Sequence, residues 1–323
     1  MSDTPDGGET YSYLGPAGTF TELALRQVEA ARGKPWRAVN NVGEALDDVV
    51  SGRSTAAMIA IENSIDGGVS ATQDALATIP GLRILGEYLV PVGFSLVARP
   101  GTRLDEVRTI AAHPVAYAQC HGWLDRTLPA HAHLPASSNV QAAAQLLETD
   151  ASGRPSSPAD AAIAPPNIVD HHAVEVLADD IIDNKQAVTR FALVARTRAL
   201  PPATGADKTS IIAELPTDRP GSLVELLEQF STRGVNMSLL ESRPMGDALG
   251  RHRFIIDLDG HVHDERIADA LLGVYRFTPN VIFLGSYPRA DRQPVEFDRR
   301  YADEVFVEAR DWLRALLSEE PEA

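Results

Sequence analysis

Ala57-Met58-Ile59-Ala60-Ile61-Glu62-Asn63-Ser64-Ile65-Asp66-Gly67-Gly68-Val69 holds an apolar run that stops at an acid, an amide and a hydroxyl. Two glycines follow, and a helical pattern runs over 69–79. Apolar strand, polar tripeptide, Gly-Gly and helix are how an α/β protein builds a pocket at the carboxyl end of a strand. The amino end of such a helix offers backbone N–H groups to an anion. The segment therefore predicts an α/β fold and a small anionic ligand.

Towards the amino terminus, a strand over 11–14 leads through the turn Gly15-Pro16-Ala17-Gly18 into a helix running to Arg32. Thr19 or Thr21 caps it, and Ala24, Val28 and Ala31 recur at i, i+4 and i+7. A strand over 36–40, a helix over 42–51 and a strand over 57–61 continue the alternation, which argues for a largely parallel sheet. Towards the carboxyl terminus, 83–99 is one long extended run interrupted by Pro91 and Gly93, a length that fits a segment crossing between two lobes. Strands over 109–112, 161–164, 174–177 and 189–196 then alternate with helices over 116–126 and 140–148, and 150–158 is a Ser/Pro/Gly-rich loop. The proline-containing stretch 198–205 reads as a linker.

Beyond it the pattern changes. A strand over 209–215 and a turn over 216–221 precede a helix with Ser222 at the capping position. Leu223, Leu226, Leu227 and Phe230 share one face of that helix, and Gly234 ends it. Strands over 237–244 and 253–258 flank 246–250, and a helix over 265–275 and a strand over 281–287 complete a βαββαβ order, which is ferredoxin-like. The tail carries an amphipathic helix with Val305, Trp312, Leu313 and Leu316 on it.

The chain has 323 residues, enough for about two or three domains, and its 44% hydrophobic content supports a packed core. A net charge of −16 disfavours nucleic acid and anionic membranes, which need basic patches. It does not exclude an anionic substrate, because a site is local. Cys120 is the single cysteine, which excludes intrachain disulfides and CxxC metal sites. Positions 1–10 lack the basic and apolar regions of a signal peptide, and no apolar run approaches the roughly 20 residues that span a bilayer. The expectation is a soluble, cytoplasmic protein.

Four segments line up in order: Tyr13-Leu14-Gly15-Pro16-Ala17-Gly18-Thr19-Phe20-Thr21-Glu22, Ile61-Glu62-Asn63-Ser64, Thr189-Arg190-Phe191 and Glu241-Ser242-Arg243-Pro244. Together they resemble a prephenate dehydratase with a C-terminal ACT domain, over about 11–287. The resemblance implies a two-lobed catalytic domain built like a type II periplasmic binding protein, with substrate between the lobes. It implies a catalytic domain at 11–197, with lobe 1 at about 11–90 and 185–197 and lobe 2 at about 91–184. A linker at 198–207, a ferredoxin-like ACT domain at 208–290 and a tail with a helix at 291–323 follow.

The implied substrate, prephenate, carries two carboxylates and a ring hydroxyl. Loss of carbon dioxide and water makes the ring aromatic, so the resemblance implies no metal and no redox cofactor. The enzyme has to hold the carboxylates and help the hydroxyl leave. By resemblance, Thr189 donates a hydrogen bond to the departing oxygen. Arg190 has two readings: a bidentate partner for a substrate carboxylate, or an ion pair with Glu62 or another acid. Glu62 likewise is either a buried acid poised to donate a proton or one half of an ion pair that organises the cleft. Asn63 and Ser64 contact the ligand or cap the following helix. Gly18 and Thr19, with Phe20, place backbone amides where a carboxylate would bind. Gln119 is the expected contact from the second lobe, and Phe191 is core beneath the site.

Cys120 reads as a small buried residue, since this chemistry needs no nucleophile, and His113 reads as structural. The pairs His171-His172 and His261/His263 raise a metal reading but lack partners at ligand spacing. The sequence departs from the family pattern at Ala187, where many members have asparagine, at Ala60, often proline, and at Val115, usually glutamine.

In the carboxyl-terminal segment, Pro220-Gly221-Ser222-Leu223 and Glu241-Ser242-Arg243-Pro244 resemble the two phenylalanine-binding motifs of the family. The alternative for them is a plain turn and a strand-end ion pair. The resemblance implies phenylalanine as allosteric effector and a homodimer or homotetramer. Arogenate or cyclohexadienyl dehydratase activity, and a non-catalytic amino-acid sensor, are the competing readings. The short stretch before position 11 is expected to leave no room for a chorismate mutase domain.

Overall fold

Strand β1 (Tyr11–Leu14) pairs in parallel with β2 (Trp36–Val39) on one side and β3 (Ala56–Asn63) on the other. Helices α1 (Phe20–Arg26) and α2 (Val42–Ser51) connect them, as the alternation predicts. The computed structural model describes residues 9–65, 67–215, 219–245, 251–278 and 280–318. The chain divides into two units. One comprises Met1–Thr72 with Tyr88–Leu193, the other Gln73–Glu87 with Val194–Ala323.

After β3 come β4 (Gly67–Gly68), α3 (Ser70–Thr78) and β5 (Leu82–Pro91). The second lobe follows with β6 (Ser95–Ala98), β7 (Thr109–Ala112), α4 (Pro114–Gln119), α5 (His121–Thr127), β8 (Ala132–Pro135), α6 (Asn139–Leu146), β9 (Ala161–Ala164) and β10 (Glu175–Ala178). Strand β11 (Val188–Arg196) returns the chain to the first sheet, whose order is β2-β1-β3-β11-β5 with β4 attached to β3. The second sheet runs β10-β6-β9-β7-β8. The long extended run at 83–99 is thus two strands, one in each sheet, as a crossing segment requires.

Both faces of the second sheet are buried. Leu96, Ile110 and Ile163 pack into one core with Phe94 and Leu124, while the adjacent Val97, Ala111 and Ala162 pack into another with Val140 and Ile168. Successive strand residues point to opposite faces, so a sheet covered on both sides reads as a continuous apolar run.

The second unit contains β12 (Asp207–Glu214), α7 (Ser222–Ser231), β13 (Met237–Pro244), β14 (His252–Asp259), α8 (Glu265–Phe277) and β15 (Val281–Pro288), ordered β13-β14-β12-β15 and antiparallel throughout. Leu226 and Phe230 of α7 and Ile267, Ala270 and Val274 of α8 pack with Ile211, Phe254 and Ile256 of the sheet. This is the ferredoxin-like arrangement read from the periodicity. The tail helix read from Val305, Trp312, Leu313 and Leu316 is α9 (Asp303–Ser318). Among the described residues, no helix is long and apolar enough to cross a membrane.

Four local expectations change. The first helix stops at Arg26 rather than Arg32: Val28 turns extended (φ −78°, ψ 109°), and only a 3₁₀ turn, Glu29–Ala31, follows. The 116–126 helix is two helices that meet at Cys120, which leaves the helical region (φ −114°, ψ 2°). Gly67 and Gly68 do not open the helix; they pair antiparallel with Asn63 and Glu62 as β4, and α3 starts at Ser70. Strand β8, an edge partner of β7, was not visible in a segment as short and mixed as Ala132-His133-Leu134-Pro135. Positions 216–218 and 246–250, read as parts of turns, lie outside the described residues.

Candidate active site

The carboxyl end of β3 lies beside the amino end of β11, and three consecutive residues of each meet there. Ser64 closes the junction twice: its N–H donates to the Val188 carbonyl at 2.9 Å, and its Oγ accepts the Val188 N–H at 3.0 Å. Neighbouring Asn63 donates from Nδ2 to Thr189 Oγ1 at 2.9 Å. Asn63 Oδ1 accepts the Ile65 N–H at 2.9 Å, and a backbone N–H can only donate. That bond fixes the amide with its nitrogen towards Thr189. Thr189 Oγ1 is therefore an acceptor towards Asn63 and keeps its own proton for another acceptor. Thr189 is 9% exposed.

One residue along each strand, Arg190 Nε lies 3.1 Å from Glu62 Oε2. The contact that the ion-pair reading of these two residues calls for is present. Successive strand residues alternate in direction, so Asn63–Thr189 and Glu62–Arg190 belong to opposite faces of the sheet. Arg190 is buried and Glu62 about one-third exposed. Phe191 is buried in the strand behind Thr189, as expected.

Gly18 is used differently from the expectation, whereas Thr19 takes the capping role read for it. Gly18 takes positive φ (93°), and its N–H donates to the Glu22 carboxylate instead of standing open to a ligand. Thr19 caps α1: Oγ1 accepts the Glu22 N–H at 3.4 Å and donates to the Leu14 carbonyl at 3.1 Å. Glu22 is buried, with Arg26 Nη2 at 2.6 Å and His171 Nε2 at 2.9 Å, and Arg26 Nη1 reaches Asp170 at 2.6 Å. Burial alone would raise the Glu22 carboxyl; the Gly18 amide, Arg26 and His171 outweigh it and hold it below the ordinary carboxylate range. Helix α1 of the first lobe is thus tied to the His171 segment of the second.

A depressed carboxyl contributes stability above its unfolded value and loses it as pH falls through the folded value. Glu22→Gln should therefore lower stability by about 1–3 kcal/mol near neutral pH, since it loses hydrogen bonds to charged groups. The gap to the wild type should close on acidification below about pH 4.3, the ordinary glutamate value. Chemical denaturation at about pH 7 and at a series of pH values below about 4.3 measures both; a gap that does not narrow as the pH falls would contradict the assignment.

A cavity of about 380 Å³ lies next to this tie, lined by Thr19, Phe20, Asn40, His113, Ser138 and Asn139 among others. Neither Asn63 nor Thr189 lines it. His113 caps α4: its N–H donates to Asn139 Oδ1 at 2.8 Å and its Nδ1 accepts the Val115 N–H at 3.3 Å. Gln119 ends α4, and its Oε1 is buried without a hydrogen-bond partner among the described residues. Burial pushes the Cys120 thiol up to about 12, so it stays protonated and is no nucleophile. His261 accepts the His263 N–H on Nδ1 at 3.1 Å, leaving Nε2 to donate to the Pro201 carbonyl at 3.1 Å.

Residues 11–199 match the family model described as prephenate dehydratase. The chain belongs to the prephenate dehydratase family. A prephenate dehydratase of Amycolatopsis methanolica is 41% identical over 94% of this chain and 97% of the relative. The crystal structure of a prephenate dehydratase from Arthrobacter aurescens in complex with L-Phe is 49% identical, with a TM-score of 0.90 over 96% of this chain and all of that one. GqqA, described as a novel type of quorum quenching acylase, is 30% identical with a TM-score of 0.76, covering 87% of this chain and 98% of its own.

In this prephenate dehydratase family member the carboxyl-terminal motifs sit in the second unit. Gly221, at φ 90°, is the cap of α7, the role expected of Ser222. No side chain caps the helix there; Ser222 Oγ is instead buried without a partner among the described residues, and half-buried Leu223 packs on the core. Glu241 and Arg243 point the same way from β13, the edge strand, while Ser242 and Pro244 are exposed. Gln73 Nε2 donates to Glu241, and Arg243 Nη2 lies 3.0 Å from Asp74.

Sequence reasoning quoted Glu22 and His171 without their pairing, and missed Gln73 and Asp74. For Glu22 a signal existed: Thr19-Phe20-Thr21-Glu22 has the spacing of a capping box. The others depend on contacts between residues more than 140 positions apart in the chain.

Proposed function

We infer that this chain catalyses the decarboxylating dehydration of prephenate to phenylpyruvate and that phenylalanine regulates it allosterically. The observation that carries the inference is the Asn63–Thr189 hydrogen bond, whose fixed polarity leaves the threonine proton for an oxygen of the ligand. In the reaction the C–C bond to the ring carboxylate breaks, and its electron pair enters the ring. The ring C–O bond breaks at the same time, and the departing hydroxyl takes up a proton from solvent and leaves as water, so that prephenate and one proton give phenylpyruvate, carbon dioxide and water. Thr189 donates a hydrogen bond to that oxygen as negative charge grows on it. Aromatisation supplies the driving force, so the reading asks for no cofactor.

Asn63 orients Thr189, and Ser64 holds the strand ends together. Glu62, committed to Arg190, organises the junction rather than donating a proton. Gln119, with an unspent buried carbonyl, is assigned to the substrate, and Gly18 and Thr19 stay in the substrate region, with Gly18's own amide already given to Glu22. Gly221, Ser222, Leu223 and Glu241 to Pro244 are assigned to the effector. The protein is then a cytoplasmic homodimer or homotetramer, with edge strand β13 covered by a second copy.

The experiment is a comparison of substrates. The full chain should convert prephenate to phenylpyruvate with a higher kcat/KM than it shows for conversion of arogenate to phenylalanine. Equal or faster turnover of arogenate would replace the narrow assignment with a cyclohexadienyl dehydratase. Binding without turnover of either would leave an amino-acid sensor.

A further inference from the structure

The boundary between the two units falls inside helix α3, between Thr72 and Gln73. These neighbours are both buried, at 0% and 3% exposure. Thr72 Oγ1 donates to the Ala60 carbonyl of β3 at 2.6 Å, three residues before Asn63. Gln73 Nε2 donates to Glu241 of β13, and Gln73 Oε1 has no hydrogen-bond partner among the described residues. The amino end of α3 is held as well: Val69 N–H donates to the Ile61 carbonyl at 2.8 Å, and Gly67 and Gly68 pair with Asn63 and Glu62.

We propose that the Thr72-Gln73 turn of α3 is the coupling element between effector strand β13 and the Asn63–Thr189 pair. This rests on the functional reading above. A displacement of Glu241 acts on the side chain of Gln73. A helix of nine residues with intact backbone bonds transmits that displacement to the adjacent Thr72, and so to the Ala60 carbonyl and the strand end that aims Asn63. A small rotation of the Asn63 amide weakens its bond to Thr189 and turns the threonine proton away from the leaving oxygen. The neighbouring Arg243–Asp74 pair is a weaker carrier, because Asp74 is about half exposed and solvent screens such a pair. The part-buried bond between the amide of buried Gln73 and a carboxylate has the larger leverage.

The test is maximal inhibition at saturating phenylalanine, which reads coupling independently of effector affinity. Coupling between two sites is typically about 5–150-fold. Thr72→Val keeps the side-chain shape and removes its hydroxyl bond; Gln73→Met removes the amide. Both should turn over prephenate without phenylalanine at near wild-type rates, still bind phenylalanine by calorimetry, and lose most of the inhibition. Asp74→Asn should keep most of it. By reciprocity, a bound unreactive substrate analogue should stop changing phenylalanine affinity in the two relay variants. Full inhibition in both Thr72→Val and Gln73→Met overturns the relay alone. Wild-type turnover that phenylalanine leaves unchanged overturns the functional reading and the relay with it.

Discussion

Thr189→Ala lowers kcat for phenylpyruvate formation by about 10²–10³-fold, the effect of removing one donor aimed at charge that grows in the transition state. KM changes little, because the hydroxyl stabilises the departing oxygen more than the bound ground state. The structure gives the reason for the size. Asn63 donates to one lone pair of the Thr189 hydroxyl and leaves its proton free to be donated, and alanine offers no donor. Thr189→Ser restores a hydroxyl without the β-methyl that limits its rotation, and it should fall between the two. Asn63→Ala removes the orienting bond but not the donor, so its loss should be smaller than that of Thr189→Ala. Steady-state kinetics on the set, with thermal melts as the fold control, measures this. Near-normal turnover in Thr189→Ala would remove Thr189 from the reaction.

The second large effect concerns the effector. Arg243→Ala and Gly221→Ala should each shift the phenylalanine inhibition curve to higher concentration, about tenfold for a loss near 1.4 kcal/mol. Turnover without phenylalanine changes far less. For Gly221 the argument is backbone strain: its φ of 90° lies in the left-handed region, and a Cβ there meets nothing within 4 Å among the described residues. Space is open, so the cost is conformational, about 1–3 kcal/mol, and falls on the start of α7 where effector amides would be donated. For Arg243 it is the loss of a charge that Asp74 holds in place. Inhibition curves identical to the wild type would move the effector site elsewhere.

The parts of this molecule that were legible in the sequence are those set by local periodicity. Leu223, Leu226 and Phe230 mark the buried face of α7, and the βαββαβ order follows from such faces without any long-range contact. The run at 83–99 announced a crossing because no single strand needs that length. The polar end of β3 stood out in the sequence because Glu62, Asn63 and Ser64 end an apolar run, whereas Thr189 at the start of β11 stood out only through the family resemblance. What was not legible is how polar groups are shared. Gly18 and the Gly67-Gly68 pair both looked like open anion-binding backbone, yet Glu22 takes one and the strand end of β3 takes the other. A glycine-rich turn shows that the backbone can be approached, but not by what. The partners of Arg190 and Glu241 were undecided for a similar reason. Either could pair with a ligand or with the protein, and only the fold brings Glu62 and Gln73 to them.

The most direct test of the central claim is the initial rate of phenylpyruvate formation from prephenate by the full chain, with and without phenylalanine. Turnover by the wild type, loss of turnover in Thr189→Ala, and suppression by phenylalanine are the predicted result. A folded protein that binds prephenate and releases no phenylpyruvate would contradict the account.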